Sequence, residues 1–277
     1  IINPTLNFGA GSVSKIPVIE KNINSVNQIV DNNINLSKED WDSFETSWNF
    51  LRHPLIEYKS GGGYATNVNK WDYRIKDAYN FWKLNCDYKF NTLKKNEEEL
   101  NRIFIDIYGL QDELTPEEDD KDVTIRKADQ VREIKSLISY AVGCMFGRYS
   151  LDKEGLIYAG GDFDTIYKNF KTGVGGFAGA SMANYTVLND SGKEIDLSFE
   201  VDNDNIIPIT DEPYFNDDIV ERFKDFIEVA YGKETLNENL DYIAETLGKK
   251  GTETSEDTIR RYLSLIHISE PTRLDVI

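Results

Sequence analysis

From Trp71 to Ile107 the chain returns to an apolar residue at about every third or fourth position. Trp71, Ile75, Ala78, Tyr79, Trp82, Cys86, Phe90 and Leu93 form one stripe, which continues through Leu100, Ile103, Phe104 and Ile107 to Gly109. At 3.6 residues per turn such spacing brings every member to one face, so the stretch predicts one very long helix or two consecutive ones. An apolar stripe of this kind reads as core or as a seam for a partner helix. The fold class expected is therefore mainly α with a smaller α+β portion.

The flanking sequence agrees with that class. Ile19, Ile23, Val26, Ile29 and Val30 follow amphipathic helical spacing, and Ser37 with Asp40 three residues on resembles a capping pair that opens a second helix or turn. Gly61-Gly62-Gly63 reads as a flexible break. Val131 to Phe146 is apolar around much of its circumference, as in a helix buried in a bundle. The acidic run Asp112 to Asp122 reads as a solvated loop.

The two ends are less helical. In residues 1–18, Thr5-Leu6-Asn7-Phe8 and Val13-Ser14-Lys15-Ile16 alternate around Gly9-Ala10-Gly11, as in a strand pair. Residues 151–262 look mixed. Ile195 to Val201 alternates strictly and predicts a strand, and helices are expected over Asn216 to Tyr231 and Thr235 to Leu247, each stopped by a glycine. The division expected is an end of a β-rich region at 1–18, a helical domain at 19–150, a mixed α/β portion at 151–262, and a foreign tail at 263–277.

That tail is set apart because Leu263 to Arg273, Leu-Ser-Leu-Ile-His-Ile-Ser-Glu-Pro-Thr-Arg, resembles the in-frame translation of a sequencing-library adapter. The chain also opens on Ile1 rather than Met. Both ends are expected to be cuts, which makes this a piece of a longer protein.

Composition narrows the chemistry. The net charge of −18 repels phosphate and argues against a free-standing nucleic-acid binder. Cys86 and Cys144 are the only cysteines, without partners for a zinc site or a disulfide framework, and a reducing cytoplasm is the expected setting. His53 is the only histidine outside the tail, which leaves little room for a Ser-His-Asp triad or a histidine metal site. No apolar run approaches the ~20 residues that cross a bilayer, so no membrane is expected.

Motifs for cofactor chemistry fail on inspection. Gly173-Val174-Gly175-Gly176-Phe177-Ala178-Gly179 has the wrong spacing for a dinucleotide loop, and no strong strand precedes it. Asn3-Pro4-Thr5-Leu6 and Asp211-Glu212-Pro213-Tyr214 each miss part of the (Asn/Asp)-Pro-Pro-(Tyr/Phe) pattern of amino-methyltransferases. No catalytic, cofactor-binding or metal residue is assigned.

The densest stretch is Leu36 to Ile56, where Trp41, Trp48 and Phe50 are interleaved with Asp42, Glu45, Arg52 and His53. Aromatic faces pack and stack, and Arg and His donate to carboxylate or phosphate. This stretch closely resembles the large adenine-specific DNA methyltransferases of bacterial BREX phage defence, the PglX family. Asn3 to Phe8 with Ile16-Pro17-Val18, Leu93 to Leu114, and Ala141-Val142-Gly143-Cys144-Met145-Phe146-Gly147-Arg148-Tyr149 are similar to family blocks in the same order. Gly9-Ala10-Gly11-Ser12 departs from the family's longer pair before the glycine.

The resemblance implies a parent that moves a methyl group from S-adenosylmethionine to the N6 amine of adenine in double-stranded DNA. It implies that the cofactor loop and catalytic motif lie upstream, that residues 1–18 close a target-recognition region, and that the fragment itself is inactive. Lys15, Trp41, Trp48, Arg52, His53, Lys70 and Arg74 are the candidate contacts to DNA or to a partner. The alternative is an acidic interaction or scaffold domain that binds other phage-defence proteins through the Trp71 to Ile107 stripe.

Overall fold

The computed structural model describes residues 17, 19, 21–62, 73–170, 184–188, 191–202 and 204–269. The expected strand pair at 1–18 lies, apart from Pro17, outside the described residues, as does the glycine-rich run 173–179. In chain order the described elements are α1 (Ile23–Asp42), α2 (Pro54–Glu57), α3 (Ile75–Tyr108), α4 (Gln130–Met145), α5 (Phe163–Ile166), β1 (Tyr167–Phe170), β2 (Asn184–Leu188), β3 (Glu194–Asp196), α6 (Ile219–Tyr231), α7 (Leu236–Thr246) and α8 (Ser255–Ser269). The described chain is thus mostly helical with a small β part. No described helix is long and apolar enough to cross a membrane.

The long stripe forms one helix of 34 residues rather than two. It stops where Gly109 takes φ of +68° and Leu110 N–H reaches back to Ile105 O at 2.9 Å, a turn that an L side chain would strain. The second helix expected at Ser37 does not start there. α1 runs unbroken from Ile23 to Asp42, because no glycine or proline interrupts it and Ser37 sits within its turns.

Contacts divide the chain into two units that are not sequential. One comprises Ile1–Lys38 with Tyr88–Arg126, the other Glu39–Asp87 with Lys127–Ile277. In the first unit Leu36 of α1 packs with Phe90 and Leu93 of α3 and with Val123 and Ile125. Asn96 Nδ2 donates to Asn32 and Asn33 at 2.8 and 2.7 Å; Lys94 meets Asp120 at 2.7 Å and Asn101 Nδ2 donates to Glu118 Oε1 at 2.7 Å, so α3 ties down the acidic segment at more than one point.

The second unit holds the larger core. Ile75, Ala78, Trp82 and Cys86 from α3 pack with Ile134, Leu137, Tyr140 and Met145 from α4, and with Phe223, Phe226 and Ile227 from α6. Ile243 of α7 and Ile259 and Leu263 of α8 complete it. Burying each large apolar side chain stabilises the fold by about 1.5–3 kcal/mol. The stripe offered above as a seam for other proteins is therefore largely used within the chain itself. Leu263, the first residue of the adapter-like string, is 3% exposed and belongs to this core, since it follows Ile259 by one helical turn.

Side chains fix the helix starts. Asp129 Oδ1 accepts from Arg132 N at 2.7 Å to open α4, and Asp218 Oδ1 accepts from Val220 N and Glu221 N to open α6. α8 opens on a reciprocal box in which Thr254 Oγ1 accepts from Asp257 N and Asp257 Oδ2 accepts from Thr254 N, at 3.0 and 3.1 Å.

The sheet is antiparallel in the order β1-β2-β3, with Tyr167 opposite Val187 and Val187 opposite Ile195. The strand expected over Ile195 to Val201 is cut short at Asp196. Leu197, Phe199 and Val201 keep the alternation and are buried, but Ser198 N–H turns to Asp152 Oδ2 at 2.7 Å instead of a ladder partner. Tyr167 is fully buried; its hydroxyl donates to Gly147 O at 2.6 Å and its ring stacks on Phe163 at 4.8 Å.

Candidate functional site

The segment between α1 and α2 carries most of the residues that the sequence singled out, and turns set its path. Phe44 N donates to Trp41 O, Ser47 N to Phe44 O, and Phe50 N to Ser47 O, while Ser47 Oγ donates to Asp42 Oδ1 at 2.6 Å. Leu51 O then accepts from Gly155 N at 2.7 Å, which pins the segment to the loop after α4.

Phe50 is the anchor. It is 3% exposed and meets Tyr140 and Tyr149 edge-on at 5.9 and 5.4 Å, while those two tyrosines stack on each other at 5.2 Å. Edge-to-face and offset-stacked rings suit the aromatic quadrupole. Two residues away, Trp48 is 85% exposed, and Trp41 at the end of α1 is 56% exposed. The aromatic stretch thus splits into two buried rings, Phe44 and the fastener Phe50, and two presented outward.

His53 is not a surface donor. It is 1% exposed, caps α2 through Nδ1, which accepts from Leu55 N at 3.2 Å, and is followed by Pro54 at the first helical position. Burial lowers its pKa from 6.5 to about 3, so the ring is neutral with its hydrogen on Nε2. Arg52 beside it is half-buried, with Nη2 3.9 Å from Glu154. Arg74, just before α3, pairs with Glu238 at 2.8 Å and acts there as a brace between helices of the second unit. Lys15 and Lys70 lie outside the described residues. The structure therefore gathers Arg52 and His53 beside the Tyr140 and Tyr149 pair, sets Trp41 and Trp48 outward on the same segment, and places Arg74 elsewhere.

Two charged residues of this region were named in the sequence blocks but not among the candidate contacts. Glu45 is half-buried, and burial raises its pKa to about 7 against the pull of Arg148 and of Ser139 Oγ, which donates to it at 3.4 Å. Arg148 lies over the Tyr149 ring at 5.5 Å. The available signal was faint: an acid within an aromatic run and an arginine just after a glycine-rich helix end.

Burial raises the Cys144 thiol well above its ordinary range, so it is a poor nucleophile. Asp211, Asp257, Arg260, Arg261 and Ser264 line an open cavity, but Arg260 is committed to Asp218 and Arg261 to Glu253. Among the described residues no cluster of three or more His, Cys, Asp or Glu could hold a metal. The described strands pair antiparallel throughout, unlike the parallel strands whose carboxyl ends hold dinucleotide-type cofactors.

No protein-family model matches the chain. It is 42% identical over 265 residues to the adenine-specific methyltransferase PglX of Lacticaseibacillus casei (strain Zhang), covering 95% of this chain and 19% of that protein. It is 35% identical over 289 residues to the adenine-specific methyltransferase BrxX of Escherichia coli O9:H4 (strain HS), covering 95% of this chain and 21% of that protein. The chain thus spans about a fifth of the length of these relatives. The resemblance read from its sequence blocks is to the same kind of protein.

Proposed function

We propose that this chain is the C-terminal part of a longer adenine-specific DNA methyltransferase of a BREX-type phage-defence system, following its target-recognition region. Identity of 42% and 35% across 95% of the chain to two such methyltransferases carries this reading. The parent takes S-adenosylmethionine and methylates the N6 amine of adenine in double-stranded DNA. This part holds neither the cofactor loop nor the catalytic motif and supplies a helical scaffold beside the recognition region.

Within it, Trp41, Trp48 and Arg52 are the proposed contacts to DNA or to another defence protein, with Lys15 and Lys70 added from sequence alone. His53 and Arg74 support the fold around them. The exposed Trp48 favours an interaction role as the second reading, because a lone indole facing solvent is suited to a partner's surface.

The test is made in two steps. The purified chain, given S-adenosylmethionine and unmethylated host DNA, is expected to incorporate no methyl groups; incorporation overturns the assignment of catalysis to another part. In the full-length gene, Trp48→Ala with Arg52→Ala is then followed by base-resolved detection of N6-methyladenine and by phage plating. Loss of methylation places these residues at the DNA, loss of defence with methylation retained places them at a protein partner, and no change in either removes them from function.

A further inference from the structure

α1 has two apolar faces. The one that carries Leu36 packs on Phe90 and Leu93. A helix turns about 100° per residue, so Ile23, Val30, Ile34 and Trp41 fall within about 20° of one line, about 140° around the helix from Leu36. All four are exposed, from 36% at Val30 to 57% at Ile34. Asn27 and Ser37 fill the gaps in this row, each within about 40° of it. The resulting alternation of three- and four-residue steps is that of a coiled-coil seam. The row runs about 27 Å along the axis and belongs to α1 alone. Its surroundings are nearly uncharged: from Ile23 to Lys38 the only acid is Asp31, in a sequence of net charge −18.

We propose that this face pairs with the same face of a second copy of the chain, the two α1 helices lying antiparallel about a twofold axis level with Asn32. A second copy is selected because the row matches its own reverse. About that axis Ile23 meets the partner's Trp41, Val30 meets the partner's Ile34, and Asn27 meets the partner's Ser37. Each apolar layer is then apolar on both sides, and the polar layer sets an amide against a hydroxyl. Charge points the same way, because two acidic chains approach with least repulsion where carboxylates are fewest. Asp31 is the exception: it lies beside the axis and faces the partner's Asp31. The four apolar side chains and their rim, from both copies, bury on the order of 1,200 Å², the low end for a specific interface. The dimer is therefore a weak one, with a dissociation constant on the order of 10 µM. It rests on the surface of α1 and holds whatever the full-length protein methylates.

Sedimentation equilibrium of the whole chain from about 1 to about 200 µM is expected to show a reversible monomer–dimer equilibrium. Val30→Asp and Ile34→Asp, at exposed positions, are each expected to weaken it at least about tenfold. Circular dichroism confirms that each variant is folded, and Ile34→Ala, expected to weaken it about fivefold, decides the case should the aspartates unfold the chain. Asp31→Asn is expected to tighten the dimer about threefold by removing the like-charged pair at the axis. Under mild oxidation an equal mixture of Asn27→Cys and Ser37→Cys chains is expected to crosslink, and neither variant alone. A chain monomeric throughout, or a dimer that the aspartate and alanine variants leave unchanged, overturns the proposal. Crosslinking of each cysteine variant with itself, as parallel helices give, overturns the antiparallel pairing, as does an Asp31→Asn dimer no tighter than wild type. In the full-length protein Ile34→Asp is expected to shift the mass towards monomer. A full-length protein that is monomeric with or without Ile34→Asp shows that another part of the polypeptide covers α1, and overturns the second copy as its occupant.

Discussion

Tyr140 and Tyr149 stack with their rings 22° from parallel across the turn that ends α4, and the Tyr140 hydroxyl donates to Ser150 O at 3.1 Å. Phe50 is set edge-on to both, so the segment after α1 is held by one ring seated on a preformed aromatic pair. Phe50→Ala is expected to lower unfolding stability by about 3–5 kcal/mol. Trp48→Ala, two residues away and exposed, is expected to stay within about 0.5 kcal/mol of wild type. Urea midpoints for the two variants compare them directly, and equal losses would sink the division into fastener and outward face.

Asp218 and Arg260 meet at 2.7 Å with almost no exposure, and Asp218 also caps α6. Asp218→Ala removes the cap and leaves a buried guanidinium without its counter-charge, which is expected to cost about 3–5 kcal/mol. Asp218→Asn keeps the cap acceptor and should recover part of the loss. An Asn variant no better than Ala in chemical unfolding would show that the cap contributes nothing.

Gly147 has φ of +73°, and a Cβ there would come within 2.9 Å of the Tyr167 ring and 3.1 Å of Phe163. Gly147→Ala is expected to destabilise by about 1–3 kcal/mol, from a backbone region that L residues avoid and from displacement of a stacked ring. A thermal midpoint unchanged from wild type would contradict it.

Burial raises the Glu45 pKa from 4.5 to about 7, so the folded chain holds that proton more tightly than the unfolded chain does. Stability from this group is complete below about pH 4.5, is lost as pH climbs towards 7, and stays lost above it. Glu45→Gln, which cannot ionise, should exceed wild type by about 1–3 kcal/mol near pH 8 and match it near pH 4. The difference between the two denaturation curves across that range is the measurement, and a difference independent of pH removes Glu45 as its origin.

The sequence carried its repeating patterns plainly and its single contacts poorly. α3 and α4 follow from apolar spacing because each turn repeats the same evidence, and Gly232 and Gly248 marked the ends of α6 and α7 for the same local reason. α8 escaped notice although Thr254 and Asp257 form its opening box, since only two side chains announce it. The shortened β3 depended on Asp152, more than forty residues away, taking the Ser198 N–H. His53 read as a surface donor beside Arg52 because sequence shows residue type, whereas burial under Tyr140 decides its charge. Glu45 and Arg148 stood in separate sequence blocks, and nothing in the sequence linked them until folding brought Arg148 to act on the Glu45 carboxyl.

The two contact-defined units change over at Lys38–Glu39, Asp87–Tyr88 and Arg126–Lys127, and the first two positions fall inside helices, α1 and α3. A gene crossover at either of these two points would cut a run of i to i−4 hydrogen bonds rather than a linker, so exchange there would disrupt a helix in both products.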